Sequence, residues 1–452
     1  MHIQFLGATD TVTGSRFLLD TGEARVLIDC GLFQGYKALR LRNWDRFPIS
    51  PGSLDAVVLT HAHIDHSGYL PLLVKRGYKG RVHCTTGTAE LCGLLLPDSA
   101  HLAEEDANYA NRKGYSRHQP ALPLYTVADA MHALEHLKPA PYSKRVTIAC
   151  GVEAEFHRAG HILGSSSVTI HAKGRRILFS GDLGPQDDML MRPPEPPTAA
   201  DYLIVESTYG DRLHPEGDPI ELLADIIRKT VARGGSVIIP VFAVGRAQLL
   251  LYCLYRLRQR RRFPDVPIYL NSPMAIEATR ILSEHSDELR IDPETCAAAC
   301  SVAIPTRSME ESIRINRVDQ PKIILAGSGM LTGGRVVHHL ESFGQDPRST
   351  FLLVGFQAAG TRGATLASGQ RTLRMHGREV ELRASVEQIR HFSAHADADG
   401  LMDWMSAIGT PPRQTFIVHG EPSAADALRQ RIEHSLHWDV TMPEYRGIYR
   451  LD

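Results

Sequence analysis

A dense group of metal-capable side chains, His61-Ala62-His63-Ile64-Asp65-His66, follows directly on the apolar run Ala56 to Leu59. An apolar run of this kind is typical of a buried β-strand. Imidazole is a good ligand for zinc, and a carboxylate beside it can hold a second cation. The segment therefore predicts a strand that ends in a metal site. A polar loop that happens to be rich in histidine is the alternative, and this density argues against it.

Adjacent and alternating ligands in one turn can serve two neighbouring metals. Two metals about 3.5 to 4 Å apart are suited to the hydrolysis of phosphoesters or amides. The 452 residues, 43% of them hydrophobic, are enough for two or more cores. The formal net charge of -1 provides no general attraction for a polyanion, so nucleic acid would have to be recognised locally.

The cysteines and the apolar segments indicate the setting of the protein. Seven cysteines are scattered without a Cys-x-x-Cys pair, which disfavours a disulfide framework and indicates a reducing, cytoplasmic setting. The N-terminal residues lack the pattern of a secretory signal, and no run of 18 apolar residues occurs. We therefore expect a cytoplasmic protein with no membrane partner.

Several other short β-rich runs also end on a polar residue. They are Val26 to Ile28 before Asp29, Ile177 to Phe179 before Asp182, Leu203 to Val205 before Glu206, and Phe416 to Val418 before His419. If these runs are strands of packed sheets, their ends gather the polar side chains along one edge. The predicted site therefore combines residues from both ends of the chain.

Glycine-rich turns supply two further candidate ligands. His161 lies between Gly160 and Gly164, and Asp182 lies beside Gly181. Glycine allows such turns to approach a metal closely. An aspartate shared by two cations would bridge them.

The middle of the chain has a different pattern of apolar residues, in which helices alternate with strands. Ile220, Leu223, Ile227 and Val231 share one helical face, and the apolar segment Ser236 to Phe242 then reads as a buried strand. Helices and strands continue to alternate, with further strands expected at Ile268 to Leu270, Ile323 to Ala326 and Phe351 to Val354, which predicts a parallel sheet with crossovers. We place this second α/β domain at 207–385, inserted into a first domain formed by 1–206 and 386–452.

The ligand motifs resemble those of a known fold. Asp29, the cluster from His61 to His66, His161 and Asp182 match in order the motifs of the metallo-β-lactamase fold. Further motifs are similar to those of the β-CASP nucleases: Glu206 in Glu206-Ser207-Thr208-Tyr209-Gly210, His395 in Phe392-Ser393-Ala394-His395-Ala396-Asp397, His419 in Val418-His419-Gly420-Glu421, and the glycine-rich segment from Ser328 to Arg335. The resemblance covers nearly the whole chain and is nearest to bacterial and archaeal proteins similar to the endonuclease subunit of the cleavage and polyadenylation specificity factor.

This resemblance implies a fold and a set of ligands. The expected fold is α/β: an αββα metallo-β-lactamase sandwich with an inserted α/β β-CASP domain. Two zinc ions per chain are expected, with manganese as the alternative metal. The resemblance implies that one ion takes His61, His63 and His161, that the other takes Asp65, His66 and His419, that Asp182 bridges them, and that Asp29 orients the ligands.

The resemblance also implies a reaction. A hydroxide activated by the two metals would attack an RNA phosphodiester, with Asp65 among the catalytic ligands. His395 would protonate the leaving oxygen, and Glu206 would orient His395 and favour its charged form. A helix cap for Glu206 and an ordinary surface position for His395 are the alternatives.

Substrate contacts are expected around the glycine-rich loop. Its backbone N–H groups can approach a phosphate closely. The candidate substrate-binding residues are Ser328, Gly329, Thr332, Gly333, Gly334, Arg335 and Ser393. A tight turn after the strand Ile323 to Ala326 is the less favoured alternative. The basic run from Arg256 to Arg262 lies at a predicted helix end, where the helix dipole favours cations in any case, so we interpret it as a solvated surface.

We therefore expect a zinc-dependent ribonuclease, endonucleolytic in mode. RNA rather than DNA follows from the resemblance, because RNA-specific members of the group carry histidine at the position of His419. A 5′ to 3′ exoribonuclease is the alternative within the group.

A thioester or lactone hydrolase would share the histidine cluster but would not need Glu206, His395 or an inserted domain. A non-catalytic scaffold would be expected to have lost ligands. Because we expect the chain to lack the KH domains of archaeal relatives and the C-terminal domain of ribonuclease J, selectivity would be low or supplied by a partner or a homodimer.

Overall fold

The computed structural model describes residues 1–114, 118–355, 357, 360–375 and 378–452. The chain divides into two compact units: unit 1 comprises Met1–Leu213 and His395–Asp452, and unit 2 comprises His214–Ala394. Unit 2 is thus inserted into unit 1 along the chain. The boundaries at 207 and 385 inferred from the sequence stay a prediction. Among the described residues, no helix combines the length and the apolar character needed to span a bilayer.

The strands are numbered here in chain order. The first part of unit 1 contains β1 (His2–Phe5), β2 (Phe17–Asp20), β3 (Arg25–Ile28), β4 (Ala56–Val58), β5 (Arg81–Cys84), β6 (Leu137–Pro139), β7 (Arg145–Ala149), β8 (Val152–Arg158), β9 (Ser166–Ala172), β10 (Arg175–Phe179) and β11 (Tyr202–Glu206). Unit 2 contains β12 (Val237–Pro240), β13 (Ile268–Asn271), β14 (Ile304–Pro305), β15 (Ile323–Ala326), β16 (Thr350–Val354), β17 (Thr372–Met375), β18 (Arg378–Glu381) and β19 (Ser385–Ile389). Unit 1 ends with β20 (Gln414–Val418), β21 (Val440–Thr441) and β22 (Ile448–Arg450).

The helices are numbered in the same way. Unit 1 begins with α1 (Lys37–Leu41), α2 (Ile64–Ser67), α3 (Leu70–Lys75), α4 (Thr86–Lys113) and α5 (Val127–Leu134). Unit 2 contains α6 (Pro219–Ala232), α7 (Arg246–Gln259), α8 (Pro273–Glu284), α9 (Pro293–Cys300), α10 (Met309–Arg317), α11 (Arg335–Phe343) and α12 (Arg362–Ala367). The C-terminal part of unit 1 adds α13 (Ala398–Ser406) and α14 (Pro422–Ser435), and short 3₁₀ turns lie at Pro51–Ser53 and Ser286–Glu288.

Unit 1 is built on two seven-stranded sheets. The first has the order β22-β1-β2-β3-β4-β5-β6, and the second has the order β21-β20-β11-β10-β9-β8-β7. Side chains from both sheets form one buried cluster, in which Phe5 packs on Phe416 with ring centroids 5.1 Å apart and Phe17 on Phe179 at 6.0 Å. The sheets therefore face each other across a shared apolar core.

Helices cover the outer faces of this sandwich. On the second sheet, Leu178 and Val205 lie in a second buried cluster with Trp404 of α13 and Leu428 of α14. On the first sheet, α4 contacts the edge strand β6. Successive strand residues point to opposite faces, so a strand buried on both sides reads as a continuous apolar run. This arrangement confirms the predicted αββα sandwich.

The strand directions bring the predicted site residues to one edge of each sheet. Strands β3, β4 and β5 are parallel, as are β10, β11 and β20. Glu206 at the end of β11 pairs with Val418 at the end of β20, directly before His419. Asp29 and His61 follow the ends of β3 and β4 in the same way. The gathering of polar residues predicted from the sequence is thus produced by parallel pairing.

Unit 2 contains a parallel six-stranded sheet of order β14-β13-β15-β12-β16-β19 and a two-stranded ribbon of β17 and β18. Ile238, Ile324 and Phe351 are buried in its core, together with Val336 and Leu340 of α11. The predicted α/β alternation is therefore present, and β15 has the predicted bounds Ile323–Ala326.

Candidate metal centre

Seven side chains predicted as metal ligands lie together in unit 1. Their ligand atoms form two groups, each with members within 4.8 Å of one another. The first group is His61, His63, His161 and Asp182, and the second is Asp65, His66 and His419. Asp182, Glu206 and His419 make a third, overlapping group. Residues from the two ends of the chain thus meet, as the sequence predicted.

In the first group, three imidazoles point their nitrogens toward one another. His63 Nδ1 lies 3.1 Å from Nε2 of His61 and 3.1 Å from Nε2 of His161. Burial lowers the pKa of His61 well below its usual value and that of His63 to about 4. Both rings are therefore neutral at pH 7, and neutral imidazole is the form that binds a metal.

In the second group, two imidazoles and a carboxylate converge. His66 Nε2 lies 3.2 Å from His419 Nε2, which lies 3.4 Å from Asp65 Oδ2. Burial tends to raise the pKa of Asp65, but the hydrogen bond with His419 and the neighbouring imidazoles outweigh it and lower the pKa to about 2. Asp65 is therefore an anion with an oxygen directed at this group.

Asp182 faces both groups with different oxygens. Its Oδ2 lies 3.6 Å from His61 Nε2 and 3.7 Å from His161 Nε2, whereas its Oδ1 lies 3.4 Å from His66 Nε2 and 3.4 Å from His419 Nδ1. Oδ1 is buried and accepts no hydrogen bond within the described part of the chain. A buried oxygen without such a bond is costly unless a cation or water compensates it. The carboxylate therefore fits a position between two cations, and the nitrogen and oxygen donors fit zinc or manganese.

Hydrogen bonds on the side of the rings away from the cluster determine which imidazole nitrogen faces the other ligands. His66 donates from Nδ1 to Asp29 Oδ2 at 2.7 Å, which leaves Nε2 toward the cluster. Thr60 donates its hydroxyl to Asp29 at 2.9 Å and lies 3.1 Å from His61 Nδ1. Thr208 Oγ1 lies 3.1 Å from Nδ1 of His419. Asp29 was predicted as an orienting residue, whereas both threonines were missed, although Thr60 directly precedes His61 in the sequence.

Backbone geometry brings the ligand turns together. Asp29 and His419 adopt φ of 56° and 50°, the left-handed region that few residues other than glycine enter readily. A side chain on Gly184 would place its Cβ only 1.9 Å from the carbonyl oxygen of Gly160. The turns that carry His161 and Asp182 therefore pack backbone against backbone. The close approach of these turns to a metal stays a prediction.

His395 and Glu206 form a pair beside the cluster. His395 Nδ1 lies 3.3 Å from Glu206 Oε2 and 3.9 Å from Asp182 Oδ2, and its ring centroid lies 4.5 Å from that of His161. Burial tends to lower the pKa of His395, but the carboxylate of Glu206 outweighs it and the pKa is raised. Glu206 is buried and accepts from the backbone N–H of Leu183 at 2.6 Å. Neither alternative from the sequence, a helix cap or a plain surface histidine, describes this pair.

The predicted substrate-binding residues belong to unit 2. Ser328, Gly329, Thr332, Gly333 and Gly334 lie in the loop between β15 and α11, and Ser393 is buried after β19. The hydroxyls of Ser328 and Thr332 hydrogen-bond at 2.9 Å. Arg335 donates to Asn271 Oδ1 at 2.7 Å and to the carbonyl of Thr306 at 2.8 Å. Arg335 therefore anchors the loop within unit 2, and its predicted contact with phosphate stays a prediction.

Comparison with known proteins identifies three family domains. Residues 10–224 match the metallo-beta-lactamase superfamily, residues 247–366 the Beta-Casp domain, and residues 379–443 the Zn-dependent metallo-hydrolase RNA specificity domain. A crystal structure of a protein of unknown function from Enterococcus faecalis has the same fold, with a TM-score of 0.52 and 13% identity over 100% of this chain and 99% of that chain.

Curated relatives cover nearly the whole chain. A ribonuclease of Thermus thermophilus is 39% identical over 438 residues, 95% of each protein. A transcription termination factor of Methanosarcina mazei is 32% identical over 96% of this chain and 69% of its own length, and an RNase J-like protein of Methanocaldococcus jannaschii is 30% identical over 93% and 92%. Together with the metal-capable cluster and the inserted α/β unit, these matches show that the chain belongs to the β-CASP family of metallo-β-lactamase-fold metallo-hydrolases.

Proposed function

We propose that this protein is a zinc-dependent ribonuclease that hydrolyses RNA phosphodiester bonds. The observation that supports this most directly is Asp182, whose two oxygens face two separate groups of ligands. That arrangement suits a pair of metal ions bridged by one carboxylate. Relatives named as a ribonuclease and as an RNase J-like protein support RNA as the substrate class.

The proposed ligands follow the two groups. His61, His63 and His161 would hold one metal, Asp65, His66 and His419 would hold the other, and Asp182 would serve both. Two divalent ions bring four positive charges, of which the carboxylates of Asp65 and Asp182 neutralise two. A phosphodiester anion is therefore attracted here although the chain as a whole carries a net charge of -1.

Divalent metal at this centre supplies a water of lowered pKa and positive charge for the phosphoryl oxygens. The chain itself provides the proton transfer. His395 protonates the oxygen that leaves, because it lies at the edge of the cluster and its side chain is 21% exposed. Glu206 holds the ring through Nδ1 and favours the protonated form that this step needs. Asp29 and Thr60 act by keeping the imidazoles in the orientation that faces the metals.

The lead proposal is endonucleolytic cleavage, and a 5′ to 3′ exonuclease is the second candidate. Ser328, Gly329, Thr332, Gly333, Gly334, Arg335 and Ser393 are proposed to contact the substrate. The seven cysteines lie in the described part of the chain and form no disulfide there, which supports a reducing, cytoplasmic setting. A homodimer is the proposed source of additional selectivity.

A circular single-stranded RNA tests the reaction because it has no ends. We expect the wild type, shown by metal analysis to hold two zinc ions, to linearise the circle. Asp65→Ala should lose this activity, whereas Asp403→Ala, which removes an exposed carboxylate from α13 in the same unit, should retain it. Degradation of linear RNA alone, dependent on a free 5′ end, would favour the exonuclease. Inertness toward both RNAs would contradict the proposal, and hydrolysis of a thioester in their place would indicate a small-molecule hydrolase.

A further inference from the structure

Residues 36–46 of unit 1 form an exposed segment that contributes little to the core. The helix α1 within it has no buried residue. Tyr36 is 61% exposed and Trp44 is 52% exposed, whereas the other two tryptophans, Trp404 and Trp438, are 3% and 7% exposed. Large aromatic rings are normally placed where they bury area. Their exposure here indicates a surface that acquires a partner.

The charge of the segment is opposite to that of the whole chain. The segment contains four basic residues, Lys37, Arg40, Arg42 and Arg46, and one acidic residue, Asp45. Residues 36–46 therefore carry a net charge of +3 within a protein of net charge -1. Arg42 is engaged locally, with its guanidinium 4.2 Å from the ring centroid of Tyr445. The other three cations are exposed. The segment therefore complements a polyanion.

Two of the cations and Trp44 are arranged along one side of the segment. Lys37, Arg40 and Leu41 are spaced three and four residues apart, which places them on the same face of a helix. The turn continues beyond α1, since the backbone N–H of Trp44 donates to the carbonyl of Leu41 at 3.0 Å. Trp44 thus extends the same row. Cations alternating with stacking rings are the features with which proteins bind single-stranded nucleic acid.

Buried side chains anchor the segment to the rest of unit 1. Asn43 is 3% exposed; its Oδ1 accepts from the backbone N–H of Phe33 at 2.9 Å and its Nδ2 donates to the carbonyl of Phe33 at 2.8 Å. Arg16 also donates to Asn43 Oδ1 at 3.0 Å. Phe47 is buried and stacks on Tyr69 with centroids 5.9 Å apart. Both ends are therefore fixed, so little ordering is needed on binding.

The same stretch of chain leads directly from the metal centre. Cys30 donates its backbone N–H to the carbonyl of His66 at 2.7 Å, and Leu32 donates to that of Ile64 at 2.9 Å. Phe33, whose backbone is hydrogen-bonded to Asn43, follows Asp29 by four residues. Phe33 and Asp29 therefore lie within about 14 Å of each other. A nucleic-acid strand bound at the metal centre would therefore reach the segment within a few nucleotides.

We propose that residues 36–46 bind single-stranded RNA next to the metal centre, with Tyr36 and Trp44 stacking on bases and Lys37, Arg40 and Arg46 contacting phosphates. This proposal rests on the proposed ribonuclease function for the identity of the ligand. It assigns a substrate-binding surface to unit 1, outside the residues of unit 2 predicted from the sequence. Because stacking and phosphate contacts are tolerant of sequence, the surface suits a nuclease of low selectivity.

Two matched pairs of variants test this surface. Trp44→Ala should weaken binding of an unstructured single-stranded RNA about tenfold, while Trp44→Phe retains a ring and should lose much less. Arg40→Glu should weaken binding and reduce its dependence on salt, whereas Lys79→Glu makes the same change of charge at another exposed position of unit 1 and should not. In cleavage assays the effects of Trp44→Ala and Arg40→Glu should appear in KM, with kcat little changed, and all four variants should keep the wild-type Tm.

Binding and cleavage together separate this inference from the proposed function. If the wild type cleaves RNA while Trp44→Ala and Arg40→Glu leave both affinity and KM unchanged, the inference fails and the ribonuclease stands. If the wild type binds RNA through Trp44 without cleaving it, the proposed function fails and the binding surface stands. Binding of anionic lipid vesicles through Trp44, with RNA affinity unaffected, would assign the segment to a membrane surface and overturn the inference.

Discussion

At the scale of single residues, the orientations of the His61 and His66 imidazoles are set by partners on the nitrogens that face away from the cluster. His66 is held by Asp29, and Thr60 connects that carboxylate to His61. Such partners fix the tautomer and direct the remaining lone pair at the metal. The chemistry of the cluster therefore depends on residues that do not themselves face it.

We expect Asp29→Ala to lower metal affinity about 10- to 100-fold, because His66 loses the acceptor that keeps Nε2 directed at the cluster. Titration with zinc against a competing chelator measures the change. Asp20→Ala removes an aspartate of strand β2 whose oxygens accept from Arg25 and from the backbone N–H of Gly22, and it should leave metal affinity unchanged. Equal affinities for the wild type and Asp29→Ala would contradict the orienting role.

We expect His395→Ala to lower kcat about 100-fold or more, because the leaving oxygen loses its proton donor. Metal content should remain that of the wild type, since His395 belongs to neither ligand group. Glu206→Gln should have a smaller effect, because it removes the charge but keeps the shape. His132→Ala, on the exposed side of α5, is the control. Loss of metal from His395→Ala would mean that its role is coordination.

At the scale of elements, the carboxyl ends of strands position the ligands, and close backbone contacts bring these ends together. Several elements were predicted closely: β15 has the predicted bounds, and β13 and β16 differ by one residue. Strand β12 is shorter than predicted, because the apolar run Ser236 to Phe242 continues beyond the paired residues Val237–Pro240. Apolar character predicts burial, whereas the extent of a strand is set by its hydrogen-bonding partner.

Gly31 provides a test at this scale. A Cβ at Gly31 would lie 1.6 Å from the carbonyl oxygen of Asp65, so the turn after β3 could no longer pack on α2. We expect Gly31→Ala to lower the free energy of unfolding by about 3 kcal/mol or more. Gly93→Ala, where an added Cβ meets no atom within 4 Å in the interior of α4, should raise it by about 1 kcal/mol. Urea denaturation measures both, and a tolerated Gly31→Ala would show that the turn can move.

At the scale of the whole molecule, unit 1 contains all the proposed ligands and all three tryptophans. Tryptophan fluorescence therefore follows the unit that contains the candidate metal centre. Metal at about a thousand times its Kd stabilises the folded state by about 4 kcal/mol, which corresponds to a rise in Tm of about 10 °C. We expect this rise when zinc is added to chelator-treated protein. Asp65→Ala should show a much smaller one, and an unchanged Tm in the wild type would contradict metal binding at this centre.

The amino-acid sequence alone establishes the chemical types of the ligands and the order in which they occur. The alternation of apolar runs with polar ends predicted an inserted α/β domain and the meeting of distant residues at one edge, whereas the sandwich was expected only from the resemblance to the metallo-β-lactamase fold. These properties are local: they depend on side-chain chemistry and on spacing within a few residues.

How these residues face one another is visible only in the folded chain. The contact of His395 with Glu206 spans 189 residues and that of His419 with Asp65 spans 354. The roles of Thr60 and Thr208, the two-sided position of Asp182 and the exposure of Trp44 likewise depend on the closure of two sheets. Spacing along the chain carries no information on such distances, because they arise from parallel pairing and core packing among segments far apart in sequence.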